Sequence, residues 1–316
     1  MIIPGGYYAR VRIWDPRGRS RCMEKTQETG QWTIVIKPKN NLFEVNLKEI
    51  WQYRDLISLF IKRNIITQYK QTILGPVWFV VQPALTVIMY MIVFGGIAGI
   101  PTDGVPRPIF YLAGTCMWQY FADCLNKTSN TFISNASIFG KVYFPRLAVP
   151  ISDVISNLVR FGIQFAFFLI VYVIYTFVDP NCNAVVNAYA FLFPLLVFMI
   201  AGLALGFGTL ISAMTTKYRD LQVLFSFIVQ LWMYATPIVY PLSKTGSMRW
   251  CGIPVHMLMC LNPVTPIIET FKYGFLGCGA FVGWRWLIYS FIFMVVLLVL
   301  GVVVFNRVQK SFMDTV

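Results

Sequence analysis

The stretch YKQTILGPVW, residues 69–78, joins a lysine, a glutamine and a Gly-Pro pair, and the chain then carries no charge until Asp103. A helix crosses the hydrocarbon of a bilayer with about 20 predominantly apolar residues. Residues 73–99 meet that requirement, so the stretch marks a chain entering lipid. Lys70 reaches the headgroups with its ammonium while its stem stays in apolar surroundings. Gly75 and Pro76 permit a change of direction, proline being well tolerated in the first turn of a helix. Trp78 falls at the depth where indole rings favour the membrane interface.

The composition agrees. Of the 316 residues 57% are apolar and only 12% charged, against about a quarter charged in a soluble domain. The net charge of +13 does not describe a nucleic-acid surface, because 13 of the 26 Lys and Arg precede Gln71 and most others sit at the ends of apolar runs. That distribution is a topology signal, since cytoplasmic flanks carry the excess of basic residues. The seven cysteines form no C-x-x-C pair and the chain has one histidine, so zinc and redox spacings are missing. Cys251, Cys260 and Cys278 fall in one late segment. They read either as small buried hydrophobes or, in an oxidising compartment, as a source of one disulfide.

The first 22 residues contain Arg10, Arg12, Arg17, Arg19 and Arg21 but no apolar core, unlike a cleaved signal peptide. Two readings stand: a disordered basic leader over residues 1–30, or a natural start at Met23. Residues 31–72 follow as a cytoplasmic segment, 73–306 as the membrane domain and 307–316 as a cytoplasmic tail.

Six spans are expected, over residues 73–99, 108–135, 151–178, 184–214, 221–242 and 286–306. The basic loops (up to Gln71, around Lys141 and Arg146, around Lys217 and Arg219, and the tail with Arg307 and Lys310) alternate with loops poor in Lys and Arg. Both termini are therefore expected in the cytoplasm. Residues 250–268 are apolar but broken by Pro254, Asn262, Pro263 and Pro266. Such a stretch suits a re-entrant helical hairpin between spans five and six better than a seventh span, since irregular backbone at depth needs protein or a cavity around it. The fold class is thus all-α, six transmembrane helices with an N-terminal interfacial helix and a re-entrant hairpin.

Ahead of the first span, Leu47, Ile50, Trp51, Ile57, Ile61 and Ile65 follow helical spacing, with Leu56 and Phe60 off the stripe. A basic amphipathic helix directly before a span reads as interfacial. Trp51, Arg54, Lys62, Arg63, Tyr69, Lys70, Gly75 and Pro76 are its candidate interfacial and entry residues. A cytoplasmic helix packed on another protein is the alternative.

Six segments together, YRDLI (53–57), YKQTILGPVW (69–78), KVYFPR (141–146), KYRDL (217–221), TPIVYPLS (236–243) and NPVTPIIE (262–269), resemble in their order the membrane subunits of ABC exporters for bacterial surface polysaccharides, the O-antigen permeases among them. The likeness runs from about residue 32 to the end. Asn64 departs from it, where an aspartate is expected after the Lys-Arg pair. The resemblance implies an inner-membrane homodimer with a channel at its axis, exporting a lipid-linked polysaccharide and driven by two copies of a separate ATPase that binds ATP and Mg. No G-x-x-x-x-G-K-[ST] phosphate loop occurs in the chain, so this chain is read as a transporter subunit rather than an enzyme, with no cofactor of its own.

Within that reading, Phe139, Lys141, Tyr143, Phe144 and Arg146 are the candidate coupling residues. The family's coupling helix falls here, and exposed bulky rings beside two cations would plug a groove on the ATPase. An ordinary basic loop is the bland alternative. Asp123 and Lys127, spaced i,i+4, can pair on one helical face, either within the membrane or low in a helix leaving it. Trp78, Phe79, Tyr90, Trp118, Tyr120, Trp232 and Tyr234 are candidates for a sugar path, flat rings being suited to sliding sugar faces; interfacial belts and packing are the competing use. His256, Leu261, Asn262, Pro263 and Pro266 are candidates for an outer gate. Asn262 is expected to cap the second short helix, which carries Glu269 and Lys272. Rival functions are an ABC exporter of small amphiphiles, lipids or drugs, a membrane-bound acyl- or glycosyltransferase, disfavoured by a single His, and a proton-coupled transporter using Asp123 or Asp153.

Overall fold

A computed structural model describes residues 11–13, 34–36, 51–70, 75–139, 144–179, 184–216, 218, 220–246, 248–250, 252–279 and 281–315. The chain divides into two units, Met1–Glu44 and Val45–Val316. In the first, β1 (Val11–Ile13) pairs in parallel with β2 (Ile34–Ile36), Arg12 opposite Val35. Three residues of the basic leader are therefore in a strand; the rest of it, including Met23, lies outside the described residues.

The second unit is helical. α1 (Arg54–Tyr69) precedes a one-turn 3-10 segment (Gly75–Val77), α2 (Trp78–Tyr90) and a π-helical turn (Met91–Ile97). α3 (Arg107–Ser129) and α4 (Thr131–Phe139) follow, then α5 (Ala148–Val178), a 3-10 turn (Ala188–Leu192) and α6 (Phe193–Thr215). The last part comprises α7 (Leu221–Tyr234), the two-residue strands β3 (Arg249–Trp250) and β4 (Ile253–Pro254), α8 (Val255–Leu261), α9 (Thr265–Leu276) and α10 (Trp284–Thr315). Among the described residues, four helical stretches are long and apolar enough to cross a membrane: Gly75–Ile97, Ala148–Val178, Ala188–Thr215 and Trp284–Gln309. Their bounds lie close to four of the expected spans. The chain is an all-α, multi-pass membrane protein.

Two expected spans differ. The stretch expected over 108–135 is the 23-residue α3, about 34 Å long at 1.5 Å per residue, separated from α4 by a break at Asn130. Length is sufficient there, and Gln119, Asp123 and Lys127 lower its apolarity. The stretch expected over 221–242 is helical only to Tyr234. α7 has 14 residues, about 21 Å, and the chain then bends through residues 236–240. Pro237 has no N–H for the next helical bond and disfavours helical geometry at Thr236, so helix α7 stops before it.

α3 forms the centre of the bundle. Ile109, Tyr111, Ala113, Met117 and Phe121 are wholly buried on it, and it packs against α5 and α6. α6 and α10 approach closely through small residues, as membrane helices do. A Cβ at Gly301 would come within 2.7 Å of the Gly206 carbonyl. Neither α8 (7 residues) nor α9 (12 residues) is long enough to span. Gly277 ends α9 in the left-handed region (φ 64°), which glycine adopts without a Cβ penalty.

Candidate functional sites

The candidate coupling residues and the helix α1 are organised by an aromatic cluster. α1 turns Tyr53, Leu56, Ile57 and Phe60 inward, an i, i+3, i+4, i+7 face. Phe60 is buried at its centre, while Trp51, Leu59 and Ile66 are exposed. This corrects the expected stripe, which left Leu56 and Phe60 out. The Phe60 ring meets Phe144 at 5.6 Å, Phe144 meets Phe139 at 5.7 Å, and Phe132 stacks on Phe305 at 4.5 Å. Phe139 and Phe144 are 3% and 5% exposed. They are not the projecting plugs expected from the sequence; they fasten the two ends of the 139–146 segment to α1 and α10. Arg146 is likewise drawn in, donating to the Gln309 carbonyl at 2.8 Å with its guanidinium over Phe139. Lys141 and Tyr143 lie outside the described residues. Arg54, Lys62, Arg63 and Lys70 are exposed. The Tyr69 side chain is outside the described residues, and Gly75 takes a positive φ (49°) directly before exposed Pro76.

A ladder of polar groups joins α1, α2, α3 and α5. Asn64 donates to Asp153 at 2.7 Å. An aspartate at 64 would set two carboxylates against each other, so the departure noted at this position is matched by its partner. Lys127 donates to Asn157 at 2.8 Å, and Arg160 forms a salt bridge with Asp123 at 2.8 Å. The expected Asp123–Lys127 pair is therefore replaced by two cross-helix contacts. Both side chains of the i,i+4 pair face α5, which presents Asn157 and Arg160 at i,i+3. Gln119 also donates to Asp123 (3.0 Å), and Arg160 donates to Gln82 (3.0 Å) and covers the Phe79 ring at 5.0 Å.

The aromatic candidates separate by burial. Trp118 and Tyr120 are buried inside the bundle, where Trp118 packs on Phe121 and Trp232. That corrects their assignment to a sugar path, since neither ring faces outward. Trp232 also packs edge-on to Phe207 at 5.2 Å. Tyr90 is half-buried, donating to the Met233 sulfur at 3.4 Å, and Phe79 is half-buried too. Trp78 and Tyr234 remain exposed.

The segment from Thr236 to Leu276 is built around a carbonyl that no helix satisfies. In a continued helix the Pro237 oxygen would accept from residue 241, and residue 241 is proline, which has no N–H. Lys272 of α9 supplies the donor, at 2.6 Å from that oxygen. Its ammonium, 1% exposed, also pairs with Glu269 at 2.6 Å and lies 4.3 Å from the Phe110 ring centroid. Asn262 donates to Thr236 at 2.9 Å and accepts from the Val264 N–H at 3.2 Å, close to the expected capping role. The bent chain presses on α3: a Cβ at Gly114 would come within 2.9 Å of the Ile238 carbonyl. Of the gate candidates, Pro263 and Pro266 are buried, His256 and Asn262 half-buried and Leu261 exposed. Cys260 and Cys278 are free and buried; Cys251 lies outside the described residues. Among the described residues no cluster of three His, Cys, Asp or Glu is placed to hold a metal.

The sequence reading put Glu269 and Lys272 on the second short helix and gave them no role. The signal was the Pro-x-x-x-Pro spacing at 237 and 241, which predicts an orphaned acceptor, together with a lone lysine in the apolar stretch that follows.

Comparison with known proteins matches residues 55–276, more than two thirds of the chain, to the ABC-2 type transporter family. A curated relative, the O-antigen export system permease protein RfbA of Myxococcus xanthus, is 26% identical over 229 residues, 72% of this chain and 82% of the relative. A Klebsiella pneumoniae protein of the same name is 23% identical over 261 residues, 82% of this chain and 94% of the relative. This chain belongs to the ABC-2 type transporter family.

Proposed function

We propose that this protein is the channel-forming permease subunit of an ABC exporter that moves lipid-linked O-antigen, or a related surface polysaccharide, across the bacterial inner membrane. The observation that carries the reading is the family match over residues 55–276, joined by relatives named as O-antigen export permeases that align along most of their length. Energy comes from a separate ATPase, two copies of which bind ATP and Mg and dock the cytoplasmic face of a permease homodimer. Lys141 and Tyr143, which fall in sequence between the buried Phe139 and Phe144, are the residues we assign to that docking.

The topology we infer has six spans with both termini cytoplasmic. α3 and α7 complete the four longer helical stretches, α7 together with the bent chain after it. α1 lies at the interface with Trp51 and its cations outward. α8 and α9 form a re-entrant pair that closes the outer end of the channel when no polymer occupies it, with His256 and Leu261 nearest the axis. Trp78 and Tyr234 are the rings of the proposed sugar path that stay on the outer surface of a single subunit.

The test is genetic. Deleting the gene in its source bacterium should leave lipid-linked polysaccharide trapped on the cytoplasmic leaflet, and the wild-type gene should restore surface display. Unchanged surface polysaccharide in the deletion strain refutes the reading. An exporter of small amphiphiles is the second reading, favoured in that event by restored resistance to amphiphilic compounds.

A further inference from the structure

A cavity of about 40 Å³ lies between α2, α3, α5 and α7. Its polar lining comprises Gln82, Thr86, Tyr90, Thr115, Gln119 and Gln164. Its depth is set by the helices that form it. Thr86 is the central residue of Gly75–Ile97, Trp118 of Arg107–Ser129, and Gln164 is one residue from the centre of Ala148–Val178. Three carboxamides thus meet halfway across the bundle, where hydrocarbon offers them nothing.

Two of those carboxamides are engaged on one side only. Gln119 donates to Asp123, and Gln82 accepts from Arg160. They connect the cavity to the Asp123–Arg160 salt bridge from both of its ends. The third, Gln164, is 2% exposed and its Nε2 has no protein partner. A buried donor in that state is strongly disfavoured unless something accepts its hydrogen bond. The hydroxyls of Thr86 and Thr115 already donate to backbone carbonyls of their own helices, leaving their lone pairs free to accept.

We propose that this cavity is a hydration site: it binds ordered water at the middle of the membrane, one molecule accepting from Gln164. A cavity needs at least ~10–15 Å³ of such space to hold one water, so this one has room for about three. The lining is uncharged and offers both donors and acceptors, which fits a neutral ligand of water's size and excludes an ion or a whole sugar ring. Through Gln82 and Gln119 the waters form an outer solvation layer for the Asp123–Arg160 pair and keep it ionic at hydrocarbon depth. This site is independent of the exported substrate, so its failure and that of the export reading are separate results.

The cavity wall provides its own reporters. Cys116, Trp118 and Met233 line it, and sulfur and indole side chains are the most reactive towards hydroxyl radicals. The permease–ATPase complex in lipid nanodiscs, irradiated in ¹⁸O-water, should incorporate label at these three positions although Cys116 and Trp118 are buried. Met117, buried on the same helix but outside the cavity lining, serves as the dry control. Gln164→Met should lower labelling of Met233 and Trp118 about fivefold or more, the occupancy change that a lost hydrogen bond brings. Thr115→Val provides the same comparison if Gln164→Met fails to fold. Wild-type labelling no higher than at Met117, or labelling unchanged in the folded variant, overturns the proposal.

Discussion

Lys272→Met removes an ammonium that the segment from Thr236 to Leu276 uses in three ways. The group lies 2.6 Å from the Glu269 carboxylate, 2.6 Å from the Pro237 carbonyl and 4.3 Å from the Phe110 ring centroid. Methionine keeps the unbranched stem and the helix propensity of lysine, so the loss is confined to the charged head. It strands Glu269 as a buried, unpaired carboxylate and Pro237 as an acceptor without a donor. Breaking a buried ion pair by removing one partner costs ~3–5 kcal/mol. The companion variant Glu269→Leu/Lys272→Met removes both charges, and apolar replacement of a buried pair is often neutral. What remains is the orphaned carbonyl, so the double variant should fall only ~1–3 kcal/mol below wild type. Equilibrium unfolding of the purified protein in mixed micelles, titrated with SDS, measures all three. The reasoning fails if Lys272→Met lies within about 0.5 kcal/mol of wild type, the range of an unremarkable surface change. It fails equally if the double variant is no more stable than the single one.

Further outcomes follow from the same contacts. Asn64→Asp places a second carboxylate against Asp153, now bonded at 2.7 Å, and should reduce the yield of folded protein, with Asp153→Asn restoring it. Gly114→Ala sets a methyl group within 2.9 Å of the Ile238 carbonyl; the strain of overpacking, ~1–3 kcal/mol, should appear in the same SDS titration. Burial pushes the Cys260 thiol up to about 11 and that of Cys278 to about 12. Since the thiolate is the reactive form, maleimide should modify both slowly at pH 7 in the folded protein and quickly after unfolding. Lys141→Glu with Tyr143→Ala should lower the permease's stimulation of its ATPase and leave membrane insertion intact, which ATPase assays on membranes holding both proteins will measure.

Charge and hydropathy patterns reveal what they physically determine. A long, mostly apolar run favours lipid, so the four long apolar stretches and the chain break at Asn262 and Pro263 were readable from residue types alone. Partners across helices were not. The i,i+4 spacing of Asp123 and Lys127 places both on one face, but only the packing of α5 against that face shows that Arg160 and Asn157 take them. Aromatic content has the same limit. Phe139 and Phe144 look like a loop's exposed rings until α1 and α10 are brought over them, and Trp118 is a plausible channel ring until α7 covers it with Trp232. The early end of α7 was available in the sequence, since Pro237 removes the donor that a longer helix requires, yet the apolar run beyond it masked the break.

Reconstitution tests the export account most directly. The permease is incorporated into proteoliposomes together with its ATPase, and lipid-linked polysaccharide is supplied on the ATPase side. Sugar reaching the opposite leaflet is read with an impermeant lectin. The account predicts ATP-dependent appearance of polymer only when both proteins are present, and none with the ATPase or the permease alone. Polymer crossing without the ATPase, or a complete pair that hydrolyses ATP and moves no polymer, contradicts it.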